Sequence, residues 1–517
     1  MSTAVTATPD AGPPKVTGAL DEFSDKLSPM LVKELRQGLR AKTFVILFLA
    51  LQALLCVVLL SAVGATSGSG DSGRSVSSVI FFFFSLAALV VQPLRGVGAL
   101  HNEIKGQTID LMVLTRLGAW RIVLGKWVAI VSQTALLLVA IAPYLILRYF
   151  FGRMNLFAEL NLLALVFLGS AAFTAVTVGL SAIPSILVRG LLPLFLAIYM
   201  GGGIFAITFG NDVEDAIKFC SLQNKEEFWA LLTGLAVGVY FAWNALALGA
   251  SMIAPMAENH STVRRLVALL ALCVIGGVIH YSKFPREGAG MLLVLFAAPA
   301  AVIALTEVLQ LLPPICRPFL RFGTAGRIAG RFLYPGWPSG VLFAGLLIAV
   351  STGIFLASSP ASSIMYGDMV ARMHTLLLAG VGTLILSALI LRFLAKRVNQ
   401  PFAVYQLVFF GLVAIAIGLA LIAGETTNDS FLWLFSWIPP VQVPLIDWVG
   451  REHRMAVDVA RELGQPVPLG PDYGPVVTTG IVTCSLYYFA LLICAIRSFP
   501  AIRAVEDEVT RKPADES

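Results

Sequence analysis

Apolar stretches of about twenty residues recur along the chain, separated by short polar connections. Crossing about 30 Å of hydrocarbon at 1.5 Å per residue takes roughly 20 residues. Runs of that length fall at 44–64, 78–98, 127–147, 158–181, 187–208 and 228–252, then at 265–281, 289–312, 340–358, 374–394, 402–423 and 475–496. The pattern predicts twelve membrane-spanning helices. A further apolar stretch, 431–449, is interrupted by Pro439, Pro440 and Pro444. Three prolines in one short helix remove donors and kink it, so this stretch reads as a re-entrant or surface segment on the outer side.

Composition supports the same class. Of 517 residues, 58% are hydrophobic and 13% charged, with a mean hydropathy of +0.85, whereas soluble proteins carry about 25% charged residues. A water-soluble fold of this size cannot hide so much apolar surface. That excludes a soluble enzyme, a disordered chain and a nucleic-acid-binding domain. The expected class is an all-α, polytopic integral membrane protein. Six cysteines (Cys56, Cys220, Cys273, Cys316, Cys484, Cys494) are widely spaced with no CxxC pair, and read as small apolar residues rather than metal ligands.

Charge gives an orientation. Lys and Arg number 36 against 30 Asp and Glu, a net charge of +6. With the N-terminus in the cytoplasm and 431–449 not crossing, 25 basic residues fall inside and 11 outside; if that stretch crosses, the split is 24 against 12. Basic residues accumulate in cytoplasmic loops, so the N-terminus is expected inside, and twelve spans place the C-terminus there too. Asp212, Glu214, Asp215, Glu226 and Glu227, with Glu425 and Asp429, then lie outside. The first apolar run starts near Phe44, too late and too long for a cleavable signal peptide, so the first span is expected to remain in the membrane.

Two cytoplasmic regions stand out. In 26–42, Leu27, Met30, Leu31, Leu35 and Leu39 share helical spacing while Lys33, Arg36, Arg40 and Lys42 fall on the other side. This predicts an interfacial helix on the inner leaflet; a plain basic anchor is the other reading. The loop 98–127 is too polar to span and too apolar for an ordinary linker. Ile109, Met112, Val113, Arg116 and Leu117 can share one helical face, and a second short helix, Ala119 to Lys126, can lead into the third span. Two short projecting helices make a docking element for a soluble partner, or merely cap their neighbours.

No GxxxxGK[ST] phosphate loop, HExxH, GxSxG or zinc-spaced Cys/His set occurs. His101, His260, His280, His374 and His453 are scattered. Ion-coupled transporters need intramembrane carboxylates; Glu159 and Glu307 lie at span ends and read as structural. The chain is therefore expected to hold no catalytic residue, cofactor or metal, and to draw its energy from elsewhere.

These features resemble membrane subunits of type-2 ATP-binding-cassette (ABC) permeases. Leu31-Val32-Lys33-Glu34-Leu35-Arg36-Gln37 is similar to the start of such subunits. Glu103, Gly106, Thr108, Leu111, Leu114, Thr115, Trp120, Ile122, Gly125 and Lys126 resemble their coupling loop, and Trp437-Ile438-Pro439-Pro440 with Pro444 their outer segment. The resemblance covers residues 28–150 well and 431–497 loosely. It implies a permease driven by a separate ABC ATPase subunit, which carries ATP and magnesium and presses on the coupling loop. The contact is then expected at Glu103, Gly106, Thr108, Ile109, Leu111, Leu114, Thr115 and Arg116, with Gly106 supplying a tight turn. Lys33, Arg36 and Arg40 would face membrane lipid. Outward transport in a bacterial inner (plasma) membrane is the further expectation.

The expected organisation is a disordered cytoplasmic tail (1–25), a six-span permease-like unit (26–256), a second membrane half (257–497) and a cytoplasmic tail (498–517). Family members carry six spans where this chain has twelve. No residue-level repeat relates the halves, and Pro313 to Gly340 lacks the coupling pattern, so each chain is expected to dock one ATPase and to work as a homodimer or heterodimer of permease chains. The alternative is a membrane-embedded enzyme acting on lipid-linked substrates, for which Asp447, Arg451, Glu452, His453 and Arg454 in the outer loop are the candidates.

Overall fold

The computed structural model describes residues 29–65, 72–107, 118–149, 155–210, 213–255, 258–281, 286–358, 368–394, 400–425, 429–466 and 470–511. Among them there is helix and no strand. In order these are α1 (Pro29–Arg40), α2 (Lys42–Ala65), α3 (Ser72–Leu86), α4 (His101–Lys105), α5 (Ala119–Tyr149), α6 (Leu156–Leu180), α7 (Leu192–Phe209), α8 (Val213–Cys220), α9 (Lys225–Ile253) and α10 (His260–Tyr281). The remainder are α11 (Arg286–Thr306), α12 (Pro313–Leu320), α13 (Gly323–Leu333), α14 (Trp337–Ser358), α15 (Asp368–Leu394), α16 (Pro401–Glu425), α17 (Gln442–Glu462), α18 (Gly474–Ile496) and α19 (Phe499–Arg511).

Eleven of the described helices are long and apolar enough to cross a membrane; the pair α1–α2, bent by 58°, raises the number to twelve. They coincide with the twelve apolar runs of the sequence. The chain is an all-α, multi-pass membrane protein. Its span ends follow local chemistry. The Asn155 side chain accepts from Ala158 N–H at 3.3 Å at the start of α6, and Asn224 and Glu227 form a capping box on α9. Proline opens α12, α16 and α18 in their first turns, where its missing donor costs nothing. Two π-turns, Ala87–Val91 and Leu187–Leu191, lie within the second and fifth spans.

The two halves repeat one arrangement. In each, two spans are followed in chain order by a connecting segment, then three spans, then a helical insert and a last span. The packing repeats as well. The fourth and sixth spans, α6 and α9, pair as α15 and α18 do; α3 meets α7 as α11 meets α16; α5 meets α2 and α9 as α14 meets α10 and α18. The short helix α8 leans on α6 as α17 leans on α15. Close approach is built from small residues. Gly179 of α6 sits against the backbone of Ala245 and Gly249 of α9, where any β-carbon would overlap the Ala245 carbonyl.

The halves join along α9, which contacts α10 and α11. Tyr240 stacks on Phe296 with ring centroids 5.0 Å apart. Nearer the N-terminal face, Leu180, Ile183, Val188 and Leu248 pack with Ile303, Phe402 and Ala403.

The connections and the C-terminal segment add detail to the sequence reading. Ala119–Lys126 is not a separate short helix but the first turns of the continuous α5, because nothing between Ala119 and Trp127 breaks a helix. Residues 313–333 form two amphipathic helices, α12 and α13, joined by Gly323 at φ +60°. The C-terminal segment is a docked helix rather than a loose tail: Ile502 of α19 is buried with Ile315, Cys316 and Tyr334. The 431–449 stretch is divided between 3-10 turns at Asp429–Phe435 and Pro439–Val441 and the start of α17. Its Ile438, Val441, Leu445 and Ile446 are buried against the last spans.

Candidate functional site

The N-terminal face of the first half is organised around one lysine. Lys126, 5% exposed at the start of the third span, donates to Glu34 of α1 at 3.0 Å and to Glu103 of α4 at 3.1 Å. One cation thus ties the interfacial helix, the end of the second span and the start of the third. A second polar link lies deeper: Arg95 donates to Gln92 at 2.8 Å and to Gln133, and stands 5.7 Å over the Phe44 ring. Gly38 brings α1 against Gln133; a side chain there would displace it. Lys33, Arg36 and Arg40 are exposed along α1.

Of the expected coupling residues, Glu103 is placed by the Lys126 ion pair. Gly106 ends α4 at φ −79°, an ordinary helical value, and the left-handed residue is Gln107 at φ +55°; the tight turn does not depend on the glycine. Thr108, Ile109, Leu111, Leu114, Thr115 and Arg116 lie outside the described residues.

The second half has its own polar centre in the equivalent place. Glu307, just past α11, accepts from Ser261 Oγ at 2.7 Å, from Arg265 Nη2 at 2.8 Å and from the Gly336 N–H at 3.1 Å. Arg265 also donates to the Phe332 carbonyl at 2.8 Å and faces the Phe343 ring at 5.5 Å. So a glutamate at the end of the second span of each half, Glu103 or Glu307, is held by a buried cation at the start of a neighbouring span.

Between the halves, on this same face, lies a cavity of about 450 Å³. Its walls combine Ile183, Leu248, Met252, Ile303 and Phe402 with Ser261, Arg264, Thr306, Glu307 and Gln400. The connections after α6 and before α16, which correspond in the repeat, contribute Pro184 and Pro401 from opposite sides. No motif marks this cavity, because its lining comes from five separated segments.

The residues of the alternative enzyme reading share one helix. Asp447, Arg451, Glu452, His453 and Arg454 lie along α17, Asp447 being 3.6 Å from Arg372. Among the described residues no three His, Cys, Asp or Glu side chains could share a metal ion. Comparison with protein-family models, with curated proteins and with solved structures finds no match to this chain.

Proposed function

We propose that this protein is the membrane permease of an ABC transporter, moving its substrate through the seam between its two six-span halves. The observation that carries the reading is the twofold repetition of one span arrangement, with a cavity of about 450 Å³ between the two halves. Alternating access needs two such halves that can rock about a shared site. A separate ATPase supplies the energy, docking on residues 106–118 in the first half. Residues 313–333 hold the same place in the second, so one chain performs what six-span permeases do as dimers. ATP-driven closure can bias the two states only through contacts that differ between them. The Lys126–Glu34–Glu103 centre makes α1 and the spans beside the loop move as one body. The membrane is a bacterial inner membrane in this reading, and transport is outward.

The test is to purify the tagged chain under mild detergent with whatever ATPase accompanies it, then to measure ATP hydrolysis and transport in wild type and Leu114→Glu. The proposal expects a co-purifying ATPase that Leu114→Glu releases at least tenfold, with the spans intact by thermal unfolding. Retention of a coupled ATPase by Leu114→Glu contradicts docking at this loop.

A further inference from the structure

The seam cavity has an electrostatic asymmetry that identifies its ligand class. Arg264 and Glu307 line it, and Arg265, which is not part of the lining, pairs with Glu307 beside them. Arg264 and Arg265 are 3% and 2% exposed. Glu307 accepts short hydrogen bonds from Ser261, Arg265 and the Gly336 N–H, and lies 3.7 Å from Arg264 Nη1. Arg264 otherwise has a 3.3 Å bond from Nη2 to the Ala247 carbonyl, and its Nε is buried with no hydrogen-bond partner. Two guanidinium groups therefore share one carboxylate. A planar guanidinium offers five donors suited to carboxylate or phosphate oxygens, and a buried cation left incompletely paired is costly. The other ionisable groups lining the cavity are Glu258 and His260, 2.9 Å apart and both partly exposed. The apolar part of the lining is Ile183, Leu248, Met252, Ile303 and Phe402. A volume of about 450 Å³ falls in the range of small-molecule sites.

We propose that this cavity binds an amphiphile with an anionic headgroup, the headgroup seated on Arg264 and the apolar body on the Ile183–Leu248–Phe402 wall. The assignment rests on the permease reading only for its role as substrate; binding itself requires no ATPase. One arginine supplies the anion contact and Glu307 keeps the second arginine in place, so the site distinguishes anionic from neutral amphiphiles by charge and from free anions by the apolar wall.

The test uses the full chain in nanodiscs of zwitterionic lipid, with binding of radiolabelled dodecyl phosphate measured above empty nanodiscs. Competition by inorganic phosphate and by dodecyl maltoside separates anion from amphiphile. Saturable binding of dodecyl phosphate is expected, weakened at least tenfold in Arg264→Gln and competed by neither inorganic phosphate nor maltoside at tenfold excess. Because Arg264→Gln could unfold the seam, Ser251→Phe fills the cavity without touching the ion cluster and should also abolish binding. Arg317→Gln on α12, outside the cavity, should bind as wild type does. Equal binding in Ser251→Phe overturns the site, and full competition by inorganic phosphate overturns the amphiphile. Absence of saturable binding while an ATPase still co-purifies refutes this inference and leaves the permease reading standing; binding without any ATPase does the reverse.

Discussion

Lys126 shows how much a single side chain holds in this protein. Its ammonium is shared by two carboxylates whose side chains are 14% and 19% exposed. Removing it takes the shared cation from two carboxylates at low exposure, which is far worse than losing a surface pair. Lys126→Ala should lower stability by about 3 kcal/mol, read as a drop in thermal midpoint in detergent, and Lys126→Arg should recover most of it. A midpoint unchanged in Lys126→Ala would show that α1 is not held there. Cys316 makes a second case. Burial first, and the nearby Glu506 charge second, push its thiol up to about 11. The thiolate is the reactive form, so alkylation of Cys316 at pH 8 should run about a hundredfold below that of an ordinary thiol and keep rising tenfold per pH unit towards pH 11. The sign for stability follows. Below pH 9 the folded and unfolded thiols are both neutral; between pH 9 and 11 the unfolded chain loses its proton first, and the fold weakens. A labelling rate that levels off near pH 9 would contradict this. At this scale the sequence disclosed Glu103 and Lys126 as part of one motif. It could not show that they touch each other and Glu34, since 23 and 92 residues separate the partners of Lys126.

At the scale of elements, the spans were legible because hydrocarbon demands one thing of a helix: about twenty apolar residues in a row. The short helices on the membrane faces were less so. In α12, Pro313 and Pro314 read as breakers in the sequence, yet they occupy the first turn, where proline is suited. In α13 the exposed Ile328 and half-buried Arg327 and Arg331 obscure a periodicity carried by the buried glycines Gly326 and Gly330. α17 was hidden by the three prolines before and within it. The packing of long spans depends on small residues rather than on large ones. Gly179→Leu forces α6 away from Ala245 and should cost several degrees of thermal midpoint and most of the yield. Gly234→Leu on α9, where no atom lies within 4 Å of an added β-carbon, should be tolerated. Equal behaviour of the two variants would deny that α6 and α9 meet at Gly179.

At the scale of the whole molecule, the repeat is visible in structure and not in residues, and the reason is physical. A lipid-facing or span-packing position accepts Leu, Val, Ala or Phe provided the volume is kept, so two halves can keep one arrangement while sharing no sequence pattern. The cavity escaped the sequence for a related reason: residues 183–184, 248–264, 303–310, 335 and 400–403 meet only once both halves are assembled. In the permease reading the repeat also bears on stoichiometry: 106–118 and 313–333 follow the second span of their respective halves in chain order, so we propose that one chain meets two nucleotide-binding domains. The most direct measurement is therefore the native mass of the complex purified through this 55.3 kDa chain. The account predicts one copy of the chain with two nucleotide-binding domains. Two copies of the chain in each complex, or the chain alone with no nucleotide-binding partner, would contradict it.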